Sequence, residues 1–262
     1  MNALREKLKK EKVIIGMVHL LPLPGSPGYK GNLDDIYEAG LKDLRALEKG
    51  GAGAIIIENF GDVPYARENE LINKIAFATM VARLRKETKL PVGINYQFND
   101  VETEWAVAYN CDVDFLRCEV FAENRIGPNG VFVAAGPELM RIKAHYKKDI
   151  MILADASVKH TFALAEQPLD FTIESLIEGG ADGIIVTGIT TGVNPSVDDV
   201  KLVKKHAKKL PVILGSGINE KNVNDYLPYI NGAIVGSSLK KDHIVENPVD
   251  VNNVKKFMAK IK

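Results

Sequence analysis

Polar and ionisable residues in this chain recur at one kind of place, the end of a short β-branched run. M-V-H ends at His19, I-I-I-E at Glu58, G-I-N at Asn95, R-C-E at Glu119, L-A-D at Asp155 and I-V-T at Thr187. Side chains alternate along a strand. His19 therefore shares a face with Met17, Glu58 with Ile56, Asn95 with Gly93, Glu119 with Arg117, Asp155 with Leu153, and Thr187 with Ile185. Such ends, arriving from consecutive strands, can converge on one pocket. The chemistry they offer is proton transfer by a histidine and carboxyls, with an amide and a hydroxyl to orient a substrate. Asp155, Glu58 and His19 are the candidate catalytic groups. Asn95, Glu119 and Thr187 are candidate substrate contacts, joined by Lys159 and His160 from A-S-V-K-H just beyond Asp155. Structural readings compete with each: a rim carbonyl for His19, a loop cap for Asp155, and an ion pair of Arg117 with Glu119 or Glu58.

Two later turns suggest what the pocket holds. L-P-V-I-L runs into Gly215, Ser216 and Gly217, and G-A-I-V runs into Gly236, Ser237 and Ser238. Small residues let backbone N–H groups approach an anion, and a helix start adds a favourable dipole. In an eight-stranded α/β barrel, the loops after the seventh and eighth strands are a frequent phosphate site. A small phosphorylated molecule is the expected ligand. His19, Glu58, Glu119 and Asp155 are also mixed N/O donors of the kind that hold a divalent metal, but no H-x-H or compact ligand motif accompanies them. No cofactor is expected. The strand-like runs contain no lysine, which argues against a lysine-imine mechanism, and Lys159 is the nearest exception.

These residues need a scaffold that brings strand ends together. Strand-like runs at 13–19, 54–60, 91–96, 115–120, 150–157, 183–187, 212–215 and 233–236 alternate with helical patterns. The latter fall at 33–49, 70–86, 101–109, 137–147, 171–178, 197–208, 220–227 and 251–261, after a short amphipathic helix carrying Leu4 and Leu8. G-G-A-G-A-I-I-I at 50–57 returns as G-G-A-D-G-I-I-V at 179–186, and L-P-V at 90–92 returns at 210–212, each four strands on. The pattern predicts a single (β/α)8 TIM-barrel domain over residues 1–262 rather than an open sheet. Its longer excursions, 21–31, 121–136, 158–170 and 188–196, all follow strand ends, where active sites are built. Segment 121–136 is expected to act as a lid.

Composition narrows the partners. The 34 basic residues balance the 34 acidic ones, which gives no reason to expect nucleic acid or an anionic membrane surface. Two cysteines, Cys111 and Cys118, form neither a disulfide framework nor a zinc spacing and fit a cytoplasmic location. The start is too charged for a signal peptide and no apolar run is long enough for a membrane span. Trp105 and Tyr109 on an outer helix can pack on the barrel or face a second copy in a homo-oligomer.

Taken together, several segments resemble the BtpA family of barrel proteins. They are V-I-I-G-M-V-H-L-L-P-L-P-G-S-P at 13–27, E-N-F-G-D-V-P at 58–64, G-I-N-Y-Q-F-N-D at 93–100, A-D-A-S-V-K-H at 154–160, V-T-G-I-T-T-G at 186–192 and L-G-S-G at 214–217. The resemblance covers nearly the whole chain and implies a ribulose-phosphate-binding type of barrel. It also implies a possible role like that of the family's namesake, a factor for stable photosystem I accumulation. Phe98 stands where the family pattern has an arginine, and Glu119 where asparagine is common. Segment 121–136 keeps only Gly130 of a Thr-Asp-Gln-Gly stretch. The expected function is an enzyme for a sugar- or nucleoside-phosphate-like metabolite, with acid/base chemistry of isomerase, lyase or glycosidic-bond type. The alternatives are a non-catalytic biogenesis factor for a membrane protein complex and a phosphometabolite-binding regulator.

Overall fold

Eight parallel strands close on themselves in the order β1-β11-β10-β9-β7-β4-β3-β2. The computed structural model describes residues 2–66, 68–158, 160–165, 167–188 and 193–261. The barrel strands are β1 (Val13–His19), β2 (Ala54–Glu58), β3 (Val92–Asn95), β4 (Phe115–Cys118), β7 (Met151–Asp155), β9 (Gly183–Val186), β10 (Val212–Leu214) and β11 (Gly232–Val235). Helices α2 (Leu33–Gly50), α3 (Leu71–Arg85), α4 (Val101–Asn110), α5 (Gly136–Tyr146), α6 (Leu169–Glu178), α7 (Val197–His206), α8 (Val223–Tyr226) and α9 (Val251–Met258) follow the successive strands. This is the expected (β/α)8 TIM barrel. The first strand ends at His19 as expected, the other strands end one or two residues earlier than the apolar runs suggest, and the helix after β10 shrinks to a single turn.

Strand parity sorts the core into two shells. Ile15, Met17, Ala54, Ile56, Phe115, Met151, Leu153, Ile185, Ile213 and Ile234 fill the barrel interior, while the alternate residues pack under the helices. Gly93 leaves room for the Phe115 ring, since a Cβ there would sit 2.2 Å from Phe115 Cε2. Gly51 closes α2 in the left-handed region at φ 96°, as the sequence indicates. Gly50 has a second reason: a Cβ there would lie 2.2 Å from Val254 of α9, so its absence lets the last helix dock against α2.

The N-terminal helix α1 (Ala3–Lys10) is a stopper. Leu4 and Leu8 join the interior cluster from below. Asn2 caps α1 by accepting from the Arg5 N–H, and its amide donates to the Asp114 and Asp149 carbonyls. Arg5 reaches Asp182 and Asp149 beside them. These bonds seat α1 across the end of the barrel opposite the polar strand ends.

One feature went unread in the sequence. Segment 121–136 forms a hairpin of β5 (Arg125–Gly127) and β6 (Gly130–Phe132), and β8 (Phe162–Ala163) from the next loop adds to it in the order β6-β5-β8. Arg125 is buried beneath this small sheet and donates to the Thr161 hydroxyl and carbonyl. The expected lid is thus a built sheet that joins two loops.

The stopper generates a stability prediction. Leu4 is fully buried, so Leu4→Ala should cost about 2–5 kcal/mol in urea unfolding. A cost near zero would show that α1 does not pack on the barrel.

Candidate active site

The register sets the site level. His19 lies opposite Glu58, and Glu58 opposite Asn95, so β1, β2 and β3 end in one polar row. Arg117 follows on β4, with Asp155 and Thr187 at the far side of the stagger. All except His19, which is half-buried, are at least 95% buried, as is Glu119 one residue beyond β4.

Arg117 and Asp155 make the tightest contact. Arg117 Nε and Nη2 donate to the two Asp155 carboxylate oxygens at 3.0 and 2.8 Å, a bidentate pair with 2% and 0% side-chain exposure. The Thr187 hydroxyl adds a third bond to Asp155 at 2.9 Å. Burial disfavours the Arg117 charge, but Asp155, Glu119 and Glu58 outweigh it and hold the guanidinium firmly protonated. Arg117 lines the cleft described below, whereas Asp155 lies behind it. The sequence alternatives for Arg117 named Glu119 and Glu58; its partner is Asp155.

Glu58 and Glu119 are linked by amides. Gln97 Nε2 donates to one oxygen of each at 3.3 Å, so the two carboxylates are no more than twice that distance apart. Asn95 Nδ2 makes longer contacts with both, 3.4 and 3.5 Å. Hydrogen bonds this long are common in empty catalytic sites and leave capacity for a ligand. Gln97 was absent from the sequence candidates, although two residues beyond Asn95 it continues the same alternation.

The E-N-F-G-D motif supplies the braces. Asn59 accepts from the Gln97 N–H at 2.7 Å and donates to Asp62, which also accepts from Asn73 and from the Leu23 N–H. Tyr96 donates to Asn73, and Glu104 of α4 accepts from the Tyr96 N–H at 2.6 Å. Gly61 is required because a Cβ would lie 2.5 Å from Pro22 N. Phe60 stacks on His19 with ring centroids 4.2 Å apart.

The two small-residue turns face this row across one cleft of about 510 Å³. Its lining includes His19, Glu58, Phe60, Arg117, Gly215–Gly217 and Gly236–Ser238. The glycines differ in purpose. Gly217 has φ 71° and would clash with Asn194, and a Cβ on Gly215 would meet the Thr187 hydroxyl at 2.4 Å. Gly236 is not forced by packing, because a Cβ there would find its nearest neighbours, in His19 and Met17, at 3.7 Å. The serines differ too. Ser216 accepts from the Gly188 N–H and donates to the Val193 carbonyl, and Ser238 donates to the Ile218 carbonyl. Both staple loops. Ser237 opens a 3-10 turn, and among the described residues no backbone carbonyl takes the Ser237 or Ser238 N–H. Lys221 and His243 flank Gly217, Ser237 and Ser238 in an outer basin.

The remaining candidates lie elsewhere. His160 is exposed, with φ 60°, and lines a separate lobe on the lid side. Lys159 falls outside the described residues. Among the described residues no group of three His, Cys, Asp or Glu side chains is placed to hold a metal, and Asp155 is already held by Arg117. Trp105 is buried against the barrel and Tyr109 is exposed.

A model of the BtpA family matches residues 10–262. The chain belongs to the BtpA family. Its relatives include an uncharacterized protein of Pyrococcus abyssi, 35% identical over 96% of both chains. Another is the photosystem I biogenesis protein BtpA of Synechocystis, 36% identical over 94% of this chain and 86% of that one. Among solved structures, the tryptophan synthase alpha chain of Legionella pneumophila superposes with TM-score 0.61 at 15% identity, covering 100% of this chain and 97% of that one. The N-(5'-phosphoribosyl)anthranilate isomerase of Pyrococcus furiosus does so with TM-score 0.55 at 13% identity, covering 95% and 98%. These likenesses establish the barrel. No helix among the described residues of this BtpA-family chain is long and apolar enough to cross a membrane.

Two tests follow. Asp155→Asn should cost about 3–5 kcal/mol because it strands a buried guanidinium, and adding Arg117→Met should recover much of that loss in urea titrations. Additive losses would mean that the pair is not coupled. Burial holds the Glu104 carboxyl well above its ordinary 4.5. A carboxyl with a raised folded-state pKa binds a proton on folding, so its stabilisation is lost as pH rises above the unfolded value. Relative to wild type, Glu104→Gln should therefore gain stability as pH rises above about 5. A pH-independent difference would remove the buried neutral acid.

Proposed function

We propose that this BtpA-family protein is an enzyme acting on a small phosphorylated metabolite, sugar- or nucleoside-phosphate-like, by acid/base chemistry. The observation that carries the reading is the shared cleft: His19, Glu58 and Arg117 line the same space as the turns Gly215–Gly217 and Gly236–Ser238. The turns offer N–H groups and an open Gly236 to a phosphate, with Lys221 supplying positive charge nearby, beside Glu220 and His243. The carboxylates lie at the other end, where a dianion would be repelled.

In this reading Glu58 and Glu119 exchange protons with the substrate, one as acid and one as base, with His19 in reach at the rim. Arg117 meets negative charge that develops between them, and Asp155 with Thr187 holds its fork in place. Asn95 and Gln97 orient hydroxyls. Isomerase, lyase and glycosidic-bond chemistry all use this set. Asp155, the foremost acid in the sequence reading, becomes a positioning residue.

A second reading rests on the lid. The register aligns Val131, Ile126 and Phe162 across the three-stranded sheet, and all are exposed, Phe162 to 77%. Such an apolar row fits docking to a partner protein, a contact that suits a biogenesis factor of the kind named for the Synechocystis relative.

Screening phosphorylated metabolites for thermal stabilisation tests the proposal. A stabilising phosphoester should lose at least about tenfold affinity in Gly236→Val, whose side chain enters the cradle, with little change in unliganded stability. For a turned-over substrate, Glu58→Gln should lower kcat by about 100- to 10,000-fold. If no phosphoester stabilises the protein and only Phe162→Ser impairs function in cells, the docking role replaces the enzyme.

A further inference from the structure

A second lobe opens beside the phosphate cleft, and its lining is of another chemical kind. It spans about 940 Å³, open solvent at its mouth included, between the β2 and β3 loops and the lid sheet, and shares Glu58 and Phe60 with the first cleft. Phe98 and Phe132 stand together in its wall with ring centroids 4.3 Å apart, and Val63, Pro64, Tyr65 and Pro128 continue the apolar surface. Asn129 at the hairpin tip donates to the Tyr65 carbonyl at 2.7 Å, so the lid is tied across the mouth of the lobe.

Polar groups interrupt this surface at one edge. Gln97 lines the lobe and is 4% exposed. Its amide orientation is dictated by its neighbours. Two carboxylates take the NH2 end, which turns the carbonyl oxygen away from them. That oxygen is buried, and among the described residues it accepts no hydrogen bond. A buried acceptor without a donor is costly and is ordinarily satisfied by a ligand or an ordered water. The lobe therefore presents flat aromatic faces and, beside the Glu58 and Glu119 carboxylates at its edge, an amide oxygen that meets no donor among the described residues.

We propose that this lobe receives a planar nitrogen-bearing ring, so that the ligand of the whole cleft is of the nucleoside monophosphate class. The inference rests on the phosphate reading above and deepens it. The phosphate occupies the Gly236–Ser238 turn, the sugar lies over Glu58 with its hydroxyls toward Asn95 and the carboxylates, and the ring packs against Phe98. Gln97 accepts from an amino or ring N–H. Stacking on aromatic side chains tolerates many ring types, so Gln97 is the group that would favour rings carrying a donor on that edge. The glycosidic bond of such a ligand comes to rest near Glu58, the residue common to both lobes.

Calorimetric titration of the intact protein with inorganic phosphate, ribose 5-phosphate and the common nucleoside 5'-monophosphates tests this. At least one nucleotide should bind roughly 10- to 100-fold more tightly than ribose 5-phosphate, the usual range for stacking one base. Phe98→Ala should erase that advantage while leaving ribose 5-phosphate affinity unchanged, which also shows that the variant is folded. Gln97→Leu should narrow the differences among nucleotides. If ribose 5-phosphate binds as tightly as every nucleotide, or if Phe98→Ala leaves the nucleotide advantage intact, the ring lobe is overturned while the phosphate reading stands. If phosphate, ribose 5-phosphate and nucleotides all fail to bind, both are overturned.

Discussion

A guanidinium sits at the polar end of this barrel with almost no access to water, and the layout of the site follows from how its charge is met. Transferring Arg117 from water is expensive, and Asp155 offsets that cost only because the pair is bidentate and Thr187 satisfies another acceptor position. With Asp155 committed, Arg117 remains a fixed positive centre beside Glu58 and Glu119. Two acids can then stand close together in a buried place, separated by the amides of Asn95 and Gln97.

The same charge pattern divides the cleft. The polar row is rich in carboxylates and unfavourable for a phosphate. The Gly215–Gly217 and Gly236–Ser238 turns have no acidic side chain of their own, and among the described residues the Ser237 and Ser238 N–H groups meet no backbone carbonyl. The lid side is apolar. Three environments thus lie in sequence around Glu58 and Phe60, and each fits a different part of a ligand. The braces from Asn59, Asp62, Asn73 and Glu104 matter because they hold the Tyr96–Gln97 backbone, where regular strand pairing has already ended.

Much of this was legible in the sequence. Period-two alternation identifies the face of a strand, so His19, Glu58, Asn95, Arg117, Asp155 and Thr187 could be placed at one end of the barrel from their neighbours alone. Alternation does not identify partners, which is why Asp155 looked like a free acid and Arg117 like a match for Glu119. The lid sheet escaped notice because strands of two or three residues carry no period, and its stability comes from Arg125 reaching Thr161 across two loops. Phe60, Gln97, Phe98 and Phe132 lie at or beyond strand ends, where side-chain direction is set by tertiary packing. The glycine–serine turns were visible as small residues. That Ser216 and Ser238 spend their hydroxyls on loop carbonyls is a matter of geometry alone.

Helix α1 has a consequence for traffic. With Leu4 and Leu8 inserted from below and the interior filled by isoleucine, leucine, methionine and phenylalanine, the described residues close the barrel at its α1 end. A ligand of the cleft cannot pass through the filled interior, so it enters and leaves at the end that carries the polar row. In the proposed enzyme, reactant and product share that end, and each is an obstacle to the other's passage.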